Sequence, residues 1–264
     1  MEILVTRDIS NAYYLAGALV FAGGCAYAYA RRSDSHFVRA FVLGVLVGVG
    51  FELAMGISGA RELRAGEGGT YDPVLSLVMG AFEIGMTTAM AHEFAKLVDV
   101  GFEREVRWAV AYLAVVLAAL VVAWLFTRSD AFSGTWLSEP VHTERKVELG
   151  PVLATMGASV ALTGVVQAKL RNWRLVATYF SYLTAWGTLY VVTYLATGLR
   201  EYVVTGVANP TPWVVTVALY TIVFEVAGLM MAPLAVGCLL GVFSASTASP
   251  STGGRGGGEL GGVA

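Results

Sequence analysis

The chain has 264 residues, 56% of them hydrophobic and 14% charged, with a mean hydropathy of +0.67. That balance belongs to a protein whose solvent is lipid, and a formal net charge of -2 gives no support for nucleic-acid binding. Both cysteines, Cys25 and Cys238, fall in apolar stretches, which excludes a disulfide scaffold or a CxxC metal or redox site.

In chain order, apolar stretches of the roughly 20 residues needed to span a bilayer fall at 11–30, 38–60, 73–97, 107–127, 149–168, 175–198 and 212–240. They predict an all-α integral membrane protein, a bundle of seven transmembrane helices over residues 1–243, placed as a multi-pass protein in the cell membrane. The first stretch has no basic segment before it and an apolar run too long for a cleaved leader, so it is expected to stay in the protein. Residues 244–264 are rich in Gly, Ser and Thr and predict a disordered tail.

The short connections after the first, third and fifth stretches carry Arg31, Arg32 and Arg39, then Lys96, Arg104 and Arg107, then Lys169, Arg171 and Arg174. Basic residues concentrate in cytoplasmic loops, so these predict an outside N-terminus and an inside C-terminus. The other side holds longer connections and most of the acid, including Glu62, Glu67, Asp72, Asp130, Glu139, Glu144, Glu148 and Glu201. Small-residue faces at Gly44, Gly48 and Gly50, and at Gly157 with Ala161 or Gly164, permit close helix packing, either within one bundle or in a homo-oligomer or with a membrane partner.

Ionisable groups at bilayer depth are costly and normally face the bundle interior or a water cavity. Glu52 on the second stretch, Glu83 on the third and Glu225 on the seventh sit roughly 12, 15 and 20 Å from the outer ends at about 1.5 Å per residue. Three carboxylates in one layer cannot all stay ionised uncompensated. Each is either protonated and hydrogen-bonded to a neighbouring carbonyl, Tyr or Thr, or a proton pathway, a metal or an organic cation neutralises them. His92 and Glu93 lie about 14 Å further along the third helix, as an inner proton relay or a plain polar helix end. No metal-ligand spacing and no nucleophile motif accompanies them, so neither a metal site nor a catalytic residue is expected.

On the third helix, Glu83-Ile-Gly-Met-Thr87-Thr88, followed by Glu93 and Leu97-Val98-Asp99, resembles the third helix of microbial rhodopsins. The resemblance gives Glu83 the place of the counter-ion and proton acceptor and Glu93, offset by one residue, that of the inner donor; Gly80 stands where the family has an arginine. On the sixth helix, Tyr179, Tyr182 and Trp186 resemble the aromatics that sandwich retinal, although the same spacing is one packed face of any helix. On the seventh, Phe224-Glu225-Val226-Ala227-Gly228-Leu229 is similar to the family's carboxylate segment, and the lysine that bonds retinal falls on Leu229. No lysine follows Lys169, and Pro233 is expected to interrupt the helix.

What the resemblance implies is a seven-helix opsin-like protein without a covalent pigment. Its ligand-binding set is Glu83, Thr87, Thr88, Tyr179, Tyr182, Trp186, Glu225 and Leu229, its cofactor a non-covalent retinal or carotenoid or none, and its partners the lipid bilayer and an apolar small molecule. It binds such a ligand or serves as a sensory or partner subunit. The second class is a transporter or channel for protons or cations along Glu52, Glu83, His92, Glu93 and Glu225. The third, a membrane enzyme acting on an isoprenoid or lipid, has the least support in the residues. Glu225 is expected to be protonated, hydrogen-bonded or neutralised by something that binds and leaves.

Overall fold

The computed structural model describes residues 1–12, 14–15, 35–57, 62–65, 84–85, 87–88, 91, 114, 118, 121, 125 and 133–243. The chain is mostly helical. Four helices are long and apolar enough to cross a membrane: Val38–Ile57, Leu149–Leu170, Trp173–Thr197 and Thr211–Leu239. They meet the predicted spans at 38–60, 149–168, 175–198 and 212–240 to within three residues at either end. The predicted spans at 11–30, 73–97 and 107–127 fall mostly outside the described residues, and those described within them are helical. The predicted tail lies outside the described residues altogether.

The expectation of an all-α chain needs correction, because four short strands form an antiparallel sheet in the order β2-β3-β1-β4. They are β1 (Glu2–Ser10), β2 (Glu62–Ala65), β3 (Pro140–Lys146) and β4 (Arg200–Thr205). Strand β1 has the alternation a half-buried strand requires: Ile3, Val5, Arg7 and Ile9 are buried, while Glu2 and Asp8 are exposed. Register carries this alternation to its neighbours, with Val5 opposite both Arg145 and Tyr202, and Arg7 opposite both Thr143 and Arg200. The inner face thus presents Ile3, Val5, Val141, Tyr202 and Val204 together with three arginines, Arg7, Arg145 and Arg200. Period-two patterning at Ile3, Val5, Arg7 and Ile9 is the sequence signal that the count of apolar stretches passed over.

Each strand lies at the N-terminus or in a connection on the acid-rich side of the chain. Between β3 and β4 run α2 (Leu149–Leu170) and α3 (Trp173–Thr197), an up-and-down pair that starts and finishes at the sheet. Their turn, far from the sheet, is two residues long. Arg171 takes left-handed backbone (φ 50) and donates its N–H to the Gln167 carbonyl, and the Asn172 side chain accepts from the Leu175 N–H to start α3. At the other end Gly198 (φ 68) closes α3 and releases the chain into β4.

Helix α1 (Ser35–Ile57) packs against the last span, which is not one regular helix. It begins as α4 (Thr211–Tyr220), widens into a π-helix over Thr221–Gly228, tightens at Leu229–Met231 and resumes as α5 (Ala232–Leu239). Pro233 stands in the first turn of α5, where its missing N–H is tolerated, so the expected interruption falls on the turns just before it.

Among the described residues, two parts of the apolar core stand out. The larger lies away from the sheet and joins Leu43, Val166, Leu170, Tyr179, Leu183, Ala227, Met231 and Leu234. The smaller packs Ile3 and Val5 of the sheet on Val217 of α4. Two helices meet especially closely at Gly44, where a Cβ would stand 2.6 Å from the Gly85 Cα and 2.8 Å from Thr88 Oγ1, one of the close approaches the small-residue face anticipates.

The outer face of the sheet carries an exposed charge pair, Lys146 Nζ to Glu2 Oε1 at 2.8 Å, and a contact of His142 Nδ1 with Asp8 Oδ1 at 2.6 Å. The Lys146 hydrogen bond and charge hold the Glu2 carboxyl below its ordinary value of 4.5. A carboxylate depressed in the folded state contributes stability above its unfolded pKa and loses it as pH falls through the folded value. Glu2→Gln should therefore flatten the acid limb of a melting-temperature profile below about pH 4.5 and leave pH 7 nearly unchanged, the small effect of an exposed pair.

Candidate functional site

Glu225 lies within the π-helix of the last span, with its side chain 15% exposed. A carboxylate so enclosed requires a cation or strong hydrogen bonds. The cation comes from the sheet: Arg145 Nη1 stands 2.5 Å from Glu225 Oε1, and the Arg145 side chain is itself only 19% exposed. Arg145 points inward because β3 alternates, with Val141 and Thr143 buried on the same face. Burial works against the charged guanidinium, yet the adjoining Glu225 carboxylate outweighs it by charge and hydrogen bond and holds Arg145 above its ordinary value.

Tyr220, one turn before Glu225, interacts with both Glu225 and Thr155 of α2, and its ring stacks near Phe224 with centroids 6.2 Å apart. Ser159 Oγ of α2 is 2.8 Å from the Thr155 carbonyl and 2.8 Å from the Phe224 carbonyl, so its one proton serves either its own helix or the π-helix. A Cβ on Gly228 would collide with Ser159, and one on Gly187 of α3 would lie 3.0 Å from the Val226 side chain. The wide turn is thus pressed between α2 and α3 while its carboxylate is drawn toward the sheet. A π-helix departs from the preferred hydrogen-bond pattern and persists only where such packing supports it.

The predicted residues that are described separate into three groups. Glu225, Leu229, Tyr179, Tyr182 and Trp186 occupy facing parts of the last span and α3; Tyr179 and Trp186 are buried, and Tyr182 and Leu229 are partly covered. Tyr179 belongs to the apolar core with Leu183, Ala227 and Met231, which is the packed-face alternative for the aromatic spacing. Thr87 and Thr88 are buried, and Thr88 Oγ1 donates to the Ile84 carbonyl at 2.7 Å. Glu52 on α1 is buried, at 4% exposure, and its side chain is engaged. Glu83, His92 and Glu93 lie outside the described residues.

Sequence reasoning missed Arg145. It left Glu225 to a proton, a hydrogen bond or a departing ligand, and the structure supplies a cation built into the chain. The signal was a basic pair, Arg145-Lys146, in an otherwise acid-rich connection immediately before the fifth predicted span. Two further inward arginines, Arg7 and Arg200, were passed over in the same way. Among the described residues no group of three or more His, Cys, Asp or Glu side chains is placed to hold a metal ion. Comparison with known protein families, curated proteins and solved structures finds no match to this chain.

Proposed function

We propose that this chain is an opsin-like seven-helix membrane protein without a covalent pigment, acting as a sensory or partner subunit whose outer sheet is coupled to its last span. The ion pair between Arg145 and Glu225 carries this reading. In the family that the third, sixth and seventh helices resemble, the cation beside such a carboxylate belongs to the pigment; here an arginine takes that electrostatic place. Glu225 then needs no bound ligand to be neutral in sum. The same contact ties a strand outside the bundle to a strained turn within it, so a partner that shifts the sheet acts on the last span through a charged contact.

Seven spans are supported by the strand order together with the loop charges. The four strands come from the N-terminus and from the connections after the second, fourth and sixth predicted spans. One sheet can collect those four segments if an even number of crossings separates each from the next, as seven alternating spans provide. The basic α2–α3 turn, with Lys169, Arg171 and Arg174, lies at the other end, which agrees with an outside N-terminus.

Hydrogen exchange on the full chain in micelles, compared between the native protein and Arg145→Met, tests the coupling. Exchange should quicken through 221–239 and not only beside residues 145 and 225. Changes confined to those two neighbourhoods would count against a signalling role. Added retinal should give no red-shifted absorption band; a band that Trp186→Ala abolishes would restore a non-covalent pigment. A second reading, proton or cation transport, is favoured by the buried Glu52. Liposome flux lost in both Glu52→Gln and Glu225→Gln, with folding intact, would establish it in place of the first.

A further inference from the structure

Arg7 and Arg200 stand directly opposite each other on β1 and β4, both on the inner face of the sheet and both buried, at 5% and 9% exposure. Like charges on directly opposed strand positions repel, and burial removes the water that would screen them. Both reach the same phenol. Arg7 Nη1 is 2.5 Å from the Tyr190 hydroxyl, and the Arg200 guanidinium lies over the Tyr190 ring, 5.2 Å from its centroid. The Tyr194 ring, 4.2 Å from that of Tyr190, extends the aromatic wall.

The charge of Arg200 is left over. Its Nη1 reaches only the Tyr202 hydroxyl, at 3.5 Å, its Nε has no hydrogen-bond partner, and among the described residues no carboxylate pairs with it. A guanidinium nine-tenths buried normally has a carboxylate or phosphate on its fork. Two neutral phenols and a π-face do not discharge it. Arg200 also begins β4, an edge strand, two residues past the Gly198 cap of α3, where the bundle gives way to the sheet. For a span that ends at Thr197, that is the level of lipid headgroups.

We propose that Arg200, with Arg7 and the hydroxyls of Tyr190 and Tyr202, forms a binding site for a phosphate oxyanion at the outer membrane surface. The Nε edge of Arg200, enclosed and without a hydrogen-bond partner, can present two parallel N–H groups, which match two oxygens of one phosphate better than they match a spherical halide. The Tyr190 hydroxyl accepts from Arg7 and keeps its own proton to donate. The phosphate belongs either to an anionic lipid headgroup beside the edge strand or to a solute in the outer medium. This site does not depend on the sensory reading, since none of its residues contributes to the contact between Arg145 and Glu225.

The test is a melting-temperature titration of the full chain in neutral detergent. One arm adds inorganic phosphate against chloride at constant ionic strength; the other adds phosphatidylglycerol against phosphatidylcholine in mixed micelles. A saturable rise is expected in at least one arm, with phosphate marking a free oxyanion and phosphatidylglycerol alone marking a headgroup. Arg200→Gln should weaken the apparent affinity by about tenfold or more. Arg200→Lys, which keeps the charge and loses the fork, should weaken it less and serves where the glutamine variant does not fold. No saturable rise in either arm overturns the site, and so does an affinity unchanged in these variants.

Discussion

Arg145→Met should lower the stability of the folded protein by about 3–5 kcal/mol, the loss expected when one partner of a largely enclosed ion pair is removed. The variant leaves the Glu225 carboxylate facing Tyr220 and the π-helix with no cation, so the group must take up a proton or draw in water. Glu225→Gln should be milder, because an amide is not charged and still hydrogen-bonds the guanidinium. The informative variant is the double one. Arg145→Met with Glu225→Met should recover most of the loss, since an apolar pair of similar volume is often as stable as the ions it replaces. Thermal melting of all four proteins in one detergent checks this. Equal and additive losses would mean that the two side chains act independently, and the pair would then carry no weight in the proposed coupling.

Gly228→Ala should cost about 1–3 kcal/mol or more, even though alanine is the better helix former. Its methyl group would occupy the space of the Ser159 side chain, and both positions lie on helices that cannot part without opening the packing of α2 against the last span. Ser159→Gly should then be less harmful in the Gly228→Ala background than in the native one, because it removes the obstructing Cβ as well as a hydrogen bond. A melting cycle over the two positions measures that difference. If alanine at 228 proves neutral alone, the close approach of α2 and the π-helix is not needed for stability, and Glu225 could be placed by a regular helix.

The four described helices long and apolar enough to cross a membrane were readable because each is a run of apolar residues as long as a bilayer is thick, a property of consecutive residues. Pro233 likewise marked an interruption that its ring makes necessary. The sheet was not readable in the same way. β3 is Pro-Val-His-Thr-Glu-Arg-Lys, too polar to stand out, and it is a strand because β1 and β2 lie on its two sides. The π-helix has no sequence mark of its own either; Ser159, Gly187 and Arg145 hold it from three different elements.

Glu225 shows the division most clearly. By itself the sequence determined that a carboxylate falls in the last apolar stretch, that no lysine accompanies it there, and that this stretch is long and apolar enough to cross a membrane, since all three follow from residue types along one stretch of chain. Only the tertiary structure decided what balances that carboxylate. Arg145 is eighty positions away and in strand β3, and its direction is set by strand pairing and by the alternation of the pleat, which no local pattern around Glu225 contains.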